Sequence, residues 1–353
     1  MAKKLTVVIS QGQSANPIKR KLEEDLVTVL LGEPGLELTV VPHLYDLAPE
    51  GTGMLCLQSI AGDMLVASWL FARATHWLLD RNGIRGRPGA TLLVQDEADE
   101  DDEGEADEAE ADARPRVIDS RPLPERKIYC LDLKAYREVQ PYADEIRRIR
   151  DEHAVQTVTL LGLPAASLSV AAVPSSNVPA PPVAAPPASI MAVLAPDASQ
   201  RVDEDTARRW YPVIDYSRCT NCLECIDFCL FGVYGIDRVD TILVEQPDNC
   251  RKGCPACSRV CPESAIIFPQ HKTPAIAGSP VGEAGSLKID LSKLFGAPDA
   301  LEVAVLERDV ELVAVGRDAV GMQVGIPKRQ TQKATAPRDE LDALIDELDG
   351  LAL

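Results

Sequence analysis

The sequence predicts an α/β domain over residues 1–163, a Pro/Ala-rich linker over 164–200 and a small cysteine module over 201–275. Three observations carry that division. Strand-length apolar runs alternate with helix-length segments through residues 1–163, the pattern of an α/β sandwich. Pro164 to Pro196 holds no charged residue and consists mostly of Pro, Ala, Ser and Val. Eight of the 10 cysteines fall between Cys219 and Cys261.

The elements follow in order. "KKLTVVIS", residues 3–10, reads as a buried strand. The turn "QGQSA" leads to Asn16-Pro17, an N-cap followed by proline at the first helical position, and Gly32 stops that helix. "LELTVVPHLYDL" supplies a second strand, and a long helix is expected from Met54 to Asn82, closed by Gly83. "ATLLVQ", "RKIYCLDL" and "VQTVTLLGL" read as strands, with a helix from Pro141 to His153 between the last two. An acidic insertion, 96–112, follows "ATLLVQ". The linker suits a semi-extended polyproline-like chain, and "SIMAVLAP" within it is apolar enough to dock on a neighbouring domain.

Beyond the cysteines, residues 276–336 read as irregular. "ALEVAVLERDVELVAVG" inside that stretch fits a helix or a strand pair equally well by periodicity. Residues 337–353 form an acidic amphipathic tail helix, with Leu341, Leu344, Ile345 and Leu348 on one face.

Charge narrows the function classes. The formal net charge is −19, and twelve acidic residues with no basic one lie between Asp96 and Asp112. Such a run self-repels and stays solvated as a disordered loop. Nucleic acid is disfavoured as a partner, since its phosphates would be repelled; a redox protein with a basic docking surface is favoured. "LTVVIS" is too short for an export leader. Leu55–Leu79 is interrupted by Asp63, Arg73 and His76, leaving no stretch near the ~18 apolar residues of a membrane span. A cytoplasmic, reducing compartment is therefore expected, where clustered thiols hold metal rather than form disulfides.

The clustered thiols form two groups: Cys219-x2-Cys222-x2-Cys225-x3-Cys229 and Cys250-x3-Cys254-x2-Cys257-x3-Cys261-Pro262. Zinc modules prefer two separated C-x2-C pairs, so zinc is the weaker reading. The spacing nearly repeats a C-x2-C-x2-C-x3-C-P run, and on these residues the segment 210–270 resembles the two-cluster bacterial-type ferredoxin family. The resemblance implies an α+β ferredoxin-like module with two [4Fe–4S] clusters and crossed ligation. Cys219, Cys222 and Cys225 would hold one cluster with Cys261; Cys250, Cys254 and Cys257 would hold the other with Cys229.

The flanks agree with that layout. "YPVIDY" offers a strand before the first loop, "VYGIDRVDTILVE" a strand–turn–strand ribbon, and "SAIIFP" a closing strand. Phe228, Phe231, Tyr234 and Phe268 would form dry walls. The sequence departs from the family pattern twice. "CRKGC" has one extra residue, which Gly253 can absorb in a left-handed turn, and Leu230 stands where proline would follow Cys229. Arg251 and Lys252 would raise the potential of the neighbouring cluster.

The remaining candidates carry little chemistry. Cys130 reads as strand core, and Cys56, near a helix start, as structural or as a thiol of lowered pKa. His43, His76, His153 and His271 are scattered. "SQGQSANP" offers a weak anion cradle at a helix start. No nucleophile–base pair stands out, so the expected function is one-electron transfer between redox partners. Two alternatives remain: an oxidoreductase subunit whose N-terminal domain binds a nucleotide or small substrate, and a non-redox scaffold held by metal.

Overall fold

The computed structural model describes residues 4–93, 114–160, 200–280 and 300–321. The chain divides into two units, residues 1–107 with 123–208, and 108–122 with 209–353.

The first unit is built on a parallel sheet. β1 (Leu5–Ser10) and β2 (Leu36–Val41) flank α1 (Pro17–Leu30) in sequence. Both strands are almost continuously buried, as expected where a parallel sheet is covered on both faces. The Asn16 side chain accepts a hydrogen bond from the Ile18 amide at 2.9 Å, and Pro17 follows as the first helical residue. Leu22, Leu26, Val27 and Leu30 turn the apolar stripe of α1 inward.

The expected helix from Met54 to Asn82 is three elements instead: α2 (Thr52–Ser59), β3 (Met64–Ser68) and α3 (Ala72–Arg81). All five residues of β3 are buried. A strand covered on both faces has no polar side to alternate, so its sequence is indistinguishable from a buried helical segment. β3 pairs with β1 on one side and with β5 (Lys127–Asp132) on the other, which makes it a central strand.

Two further expectations fail here. Residues 90–93 of "ATLLVQ" form no strand; a two-residue strand, β4 (Arg87–Pro88), pairs with β5 just upstream. The Leu92 side chain is exposed and its amide donates to the Glu145 carboxylate at 2.9 Å, so this stretch runs to the helix that carries Glu145 rather than along the sheet. "VQTVTLLGL" likewise is not a strand where it is described, because α5 (Gln140–Leu160) continues through it. Helix propagation from a well-packed start outweighs the β preference of a few branched residues.

The six described strands of this sheet lie in the order β4-β5-β3-β1-β2-β6, all parallel, with β6 (Gln200–Arg201) on the β2 edge. The order reverses beside β1, so the loops after β1 and β3 flank the topological switch point where open α/β sheets bind ligands. The acidic run, residues 164–199 of the linker and the tail helix lie outside the described residues.

The second unit carries two short antiparallel strand pairs and short helices. β7 (Val213–Ile214) pairs antiparallel with β10 (Ile266–Ile267), and β8 (Tyr234–Ile236) with β9 (Ile242–Val244). These are the flanking strand, the closing strand and the ribbon read from sequence. One element was not expected in this unit. α4 (Val117–Ser120), in a segment placed by sequence in the N-terminal domain, joins the second unit: the Val117 amide donates to the Cys219 carbonyl at 2.8 Å and the Val117 side chain enters the core around the cysteines. Within the region expected to be irregular, periodicity allowed "ALEVAVLERDVELVAVG" a helix or a strand pair, and the structure forms the helix, over Ala300–Ala314.

Candidate metal centre

Each cysteine motif is a tight loop leading into one helical turn. The first loop enters α6 (Glu224–Phe228), the second α7 (Ala256–Val260). Wrapping thiols around one centre demands unusual backbone. Asn221 and Leu223 both adopt left-handed φ values, 58° and 65°. Gly253 takes φ 92°, so the extra residue of "CRKGC" is absorbed at the glycine, as expected.

Asn221 does more than turn the chain. Its side-chain nitrogen donates to the Asp240 carbonyl at 2.7 Å and its side-chain oxygen accepts from the Ile242 amide at 2.9 Å. One side chain therefore locks the first cysteine loop to the β8–β9 ribbon. Asn221→Ala removes both bonds and a residue type that, after glycine, best tolerates a left-handed turn, and should destabilise the folded module by about 2 kcal/mol. A denaturant midpoint for the metal-loaded protein checks this; an unchanged midpoint would show that the loop holds itself.

Sulfur neighbours divide the eight thiols into two sets of four. Cys219 and Cys225 lie within electrostatic reach of Cys222 and Cys261. Cys250 and Cys257 lie within reach of Cys254 and Cys229, and Cys254 within reach of Cys229. The fourth thiol of each sequence motif thus keeps company with the other motif's first three. A cavity lined by Cys229, Cys250, Cys254 and Cys257 has Phe228, Phe231 and Val233 as its apolar walls.

Burial is the largest influence on these thiols. It pushes Cys219 and Cys254 up to about 11 and raises Cys225, Cys229, Cys250, Cys257 and Cys261, with neighbouring sulfurs adding to the shift in most of them. Amides partly oppose it. The Asn221 amide points at the Cys219 sulfur at 3.4 Å and the Ala265 amide at the Cys261 sulfur at 3.2 Å. The amides of Phe231, Gly232 and Val233 face Cys229. Such a site prefers a positive centre that keeps the sulfurs as thiolates, with inward amides sharing the negative charge.

Tyr234, expected as a wall, lines the cavity of Cys229, Cys250, Cys254 and Cys257, and its buried hydroxyl donates to the Cys257 sulfur at 3.1 Å. Phe268 packs in the same apolar core as the cysteines, stacked on Trp210 with ring centroids 5.2 Å apart. Among the described residues no three His, Cys, Asp or Glu side chains converge closely enough to hold a single metal ion.

The first unit contains a different kind of site. A cavity of about 500 Å³ opens at the carboxyl ends of β1 and β2, lined by Gln11, Gln13, His43, Asp46 and Arg208 among others. His43 is 7% exposed and its Nδ1 has no hydrogen-bond partner, although Asp46 lies 3.6 Å away. Burial, then Lys19 and Arg208, lower its pKa to about 4 against the pull of Asp46, so it stays neutral near pH 7. The anion cradle expected at "SQGQSANP" is already satisfied by the chain. Buried Glu23 accepts from the Gly12 amide at 2.7 Å and from the Trp69 indole at 2.7 Å, and pairs with Arg20 at 2.9 Å. Cys130 is buried strand core with its pKa pushed up to about 12, and the Cys56 thiol is raised, not lowered, by burial. His153 contacts Asp63 at 3.1 Å. Among the described residues no helix is long and apolar enough to cross a membrane.

Comparison with known proteins finds one similar segment. The chain is 50% identical over 66 residues to an uncharacterized ferredoxin of Methanocaldococcus jannaschii. That match covers 18% of this chain and 44% of the relative, so the chain spans less than half the length of the curated relative it matches. No family model and no solved structure matches. The chain thus contains a segment similar to that ferredoxin.

Proposed function

Starting from a ferredoxin-like segment whose eight thiols fall into two sets of four, we propose that the protein carries single electrons through two [4Fe–4S] clusters between redox partners. Cys219, Cys222, Cys225 and Cys261 would hold one cluster, and Cys250, Cys254, Cys257 and Cys229 the other. The observation that carries this reading is the exchange of fourth thiols between the motifs. The motif spacing also favours clusters over zinc, whose modules prefer two separated C-x2-C pairs.

When bound, such a cluster takes up and releases one electron with little change of shape. The chain's own residues do the remainder. The eight sulfurs fix position, the amides of Asn221, Ala265 and residues 231–233 stabilise negative charge, and Phe228 and Phe231 exclude water. Cys222 is exposed, giving the first set an edge at the surface where a partner can approach. The acidic composition suits partners with basic docking faces. Anaerobic purification with iron and sulfide quantitation and EPR of the dithionite-reduced protein tests the reading. About eight irons and a spin-coupled signal support it; zinc, or a spectrum unchanged by dithionite, refutes it.

A second reading draws on the cavity beside His43. The N-terminal unit would bind a nucleotide or small substrate and receive electrons from the ferredoxin-like segment. Mass spectrometry of the denatured, anaerobically purified protein decides: a stoichiometric nucleotide or flavin favours this reading, and none beyond iron and sulfide removes its motive.

A further inference from the structure

We propose that Arg308, on a helix outside both cysteine motifs, raises the reduction potential of the Cys229–Cys250–Cys254–Cys257 cluster above that of its neighbour and so gives electron passage its direction. The inference rests on the two-cluster reading and adds to it a residue and a polarity.

Arg308 belongs to α8 (Ala300–Ala314), which packs on α7 and buries Ala304, Val305, Arg308 and Leu312. Two ion pairs pin the helix in place: Arg259 to Glu307 at 2.9 Å and Arg251 to Glu311 at 3.7 Å. These set the rotation of α8 so that Arg308 faces inward. The Arg308 side chain is 1% exposed, and with Cys229, Cys250, Cys254 and Cys257 it lines one cavity. Its guanidinium lies 4.7 Å from the Phe228 ring centroid and donates to the Gly321 carbonyl at 2.8 Å.

A charge buried this deeply costs several kcal/mol unless opposite charge surrounds it. Asp309, 3.0 Å away, supplies part of that compensation. Four thiolates around an iron cluster would add to it, since Arg308 lines their cavity.

Opposing charges must be weighed. Glu307 and Glu311 also act on this set, at Cys254 and Cys250. Both glutamates are already paired with arginines and are more than a quarter exposed, so solvent screens them. Arg308 works from the interior, where the effective dielectric is low and each charge acts more strongly. The charged neighbour acting on the Cys219 side is a carboxylate, Asp215. A buried cation thus lines the cavity of the Cys229 set, whereas a buried carboxylate acts on Cys219. Reduction adds one negative charge to a cluster, and Arg308 favours that addition. An electron lost by a one-electron donor protein at the Cys222 edge would pass to the Arg308 side and leave to an acceptor; no proton or bond moves.

The experiment is an EPR-monitored redox titration of the full-length, anaerobically loaded protein. Wild type should titrate in two waves. Arg308→Met keeps an apolar stem and removes the charge; it should move the higher wave down by a tenfold loss of electron affinity or more (~59 mV per tenfold for one electron) and leave the other in place. Arg308→Lys should restore most of the shift. Asp309→Asn, which unmasks Arg308, should move the same wave up, and keeps the question open to measurement if the Met variant loses iron. Eight irons in every variant with waves unmoved by more than threefold would overturn the role of Arg308. A wild type with four irons and one wave would instead overturn the two-cluster reading itself.

Discussion

Replacing Cys229 by Ser should empty the site built on Cys250, Cys254 and Cys257, although Cys229 belongs in sequence to the other motif. The iron content should fall from about eight to about four per chain. The informative measurement is the pair of double variants. Cys229→Ser with Cys254→Ser strikes one set twice, so four irons should remain. Cys229→Ser with Cys222→Ser strikes both sets and should leave almost none. Non-additivity within a set and additivity between sets is how shared membership is diagnosed. If each motif kept its own fourth thiol, the two double variants would exchange outcomes. The thiol neighbourhoods favour the crossed result, since Cys257 senses Cys229 as its first sulfur neighbour and Cys225 senses Cys261. Neither Cys229→Ser nor Cys261→Ser should disturb the first unit, whose core contains none of these residues.

Removing iron should unfold the second unit and spare the first, and alkaline pH should deepen the contrast. In the unfolded chain each thiol loses its proton near its ordinary value of about 9. In the folded, metal-free module burial holds those protons longer, to about 11 for Cys219 and Cys254. The folded state then binds more protons than the unfolded one, so its stability falls as pH rises. That contribution is whole below about pH 8 and drains away between pH 9 and 11. Metal loading reverses the linkage: thiolates bound to iron have no proton to lose, and loading itself releases protons. Limited proteolysis with fragment mapping of the chelated protein at pH 7 and pH 10 checks both statements. Cleavage should concentrate in residues 209–275 and rise with pH, while β1–β5 stay protected. Equal protection of the two units after chelation at pH 10 would contradict the coupling.

The cysteine module was legible because its message is local. Thiols three residues apart on a short loop converge wherever the chain runs, so "CTNCLECIDFC" and "CRKGCPACSRVC" announce their chemistry unaided. The ribbon "VYGIDRVDTILVE" was legible for a similar reason, with Asp240 at φ 60° in the turn between β8 and β9. The first unit was harder. β3 is buried on both faces and carries no alternation, so "DMLVASWL" merged in sequence with the helices on either side. Sheet order, not residue pattern, makes it a central strand.

The residues that complete the candidate site show the same divide. By itself the sequence determined the number of thiols, their division into two motifs, the glycine that absorbs the extra residue and the α/β character of the N-terminal unit. Only tertiary structure decided that Val117 enters the cysteine core, that Asn221 ties the first loop to the ribbon, and that Arg308 reaches Cys229 across some eighty positions of chain. The physical reason is range. Ligand spacing and turn chemistry act over a few residues, whereas the burial of a charge is settled by whatever distant segment folds over it, and its sequence neighbours carry no sign of that.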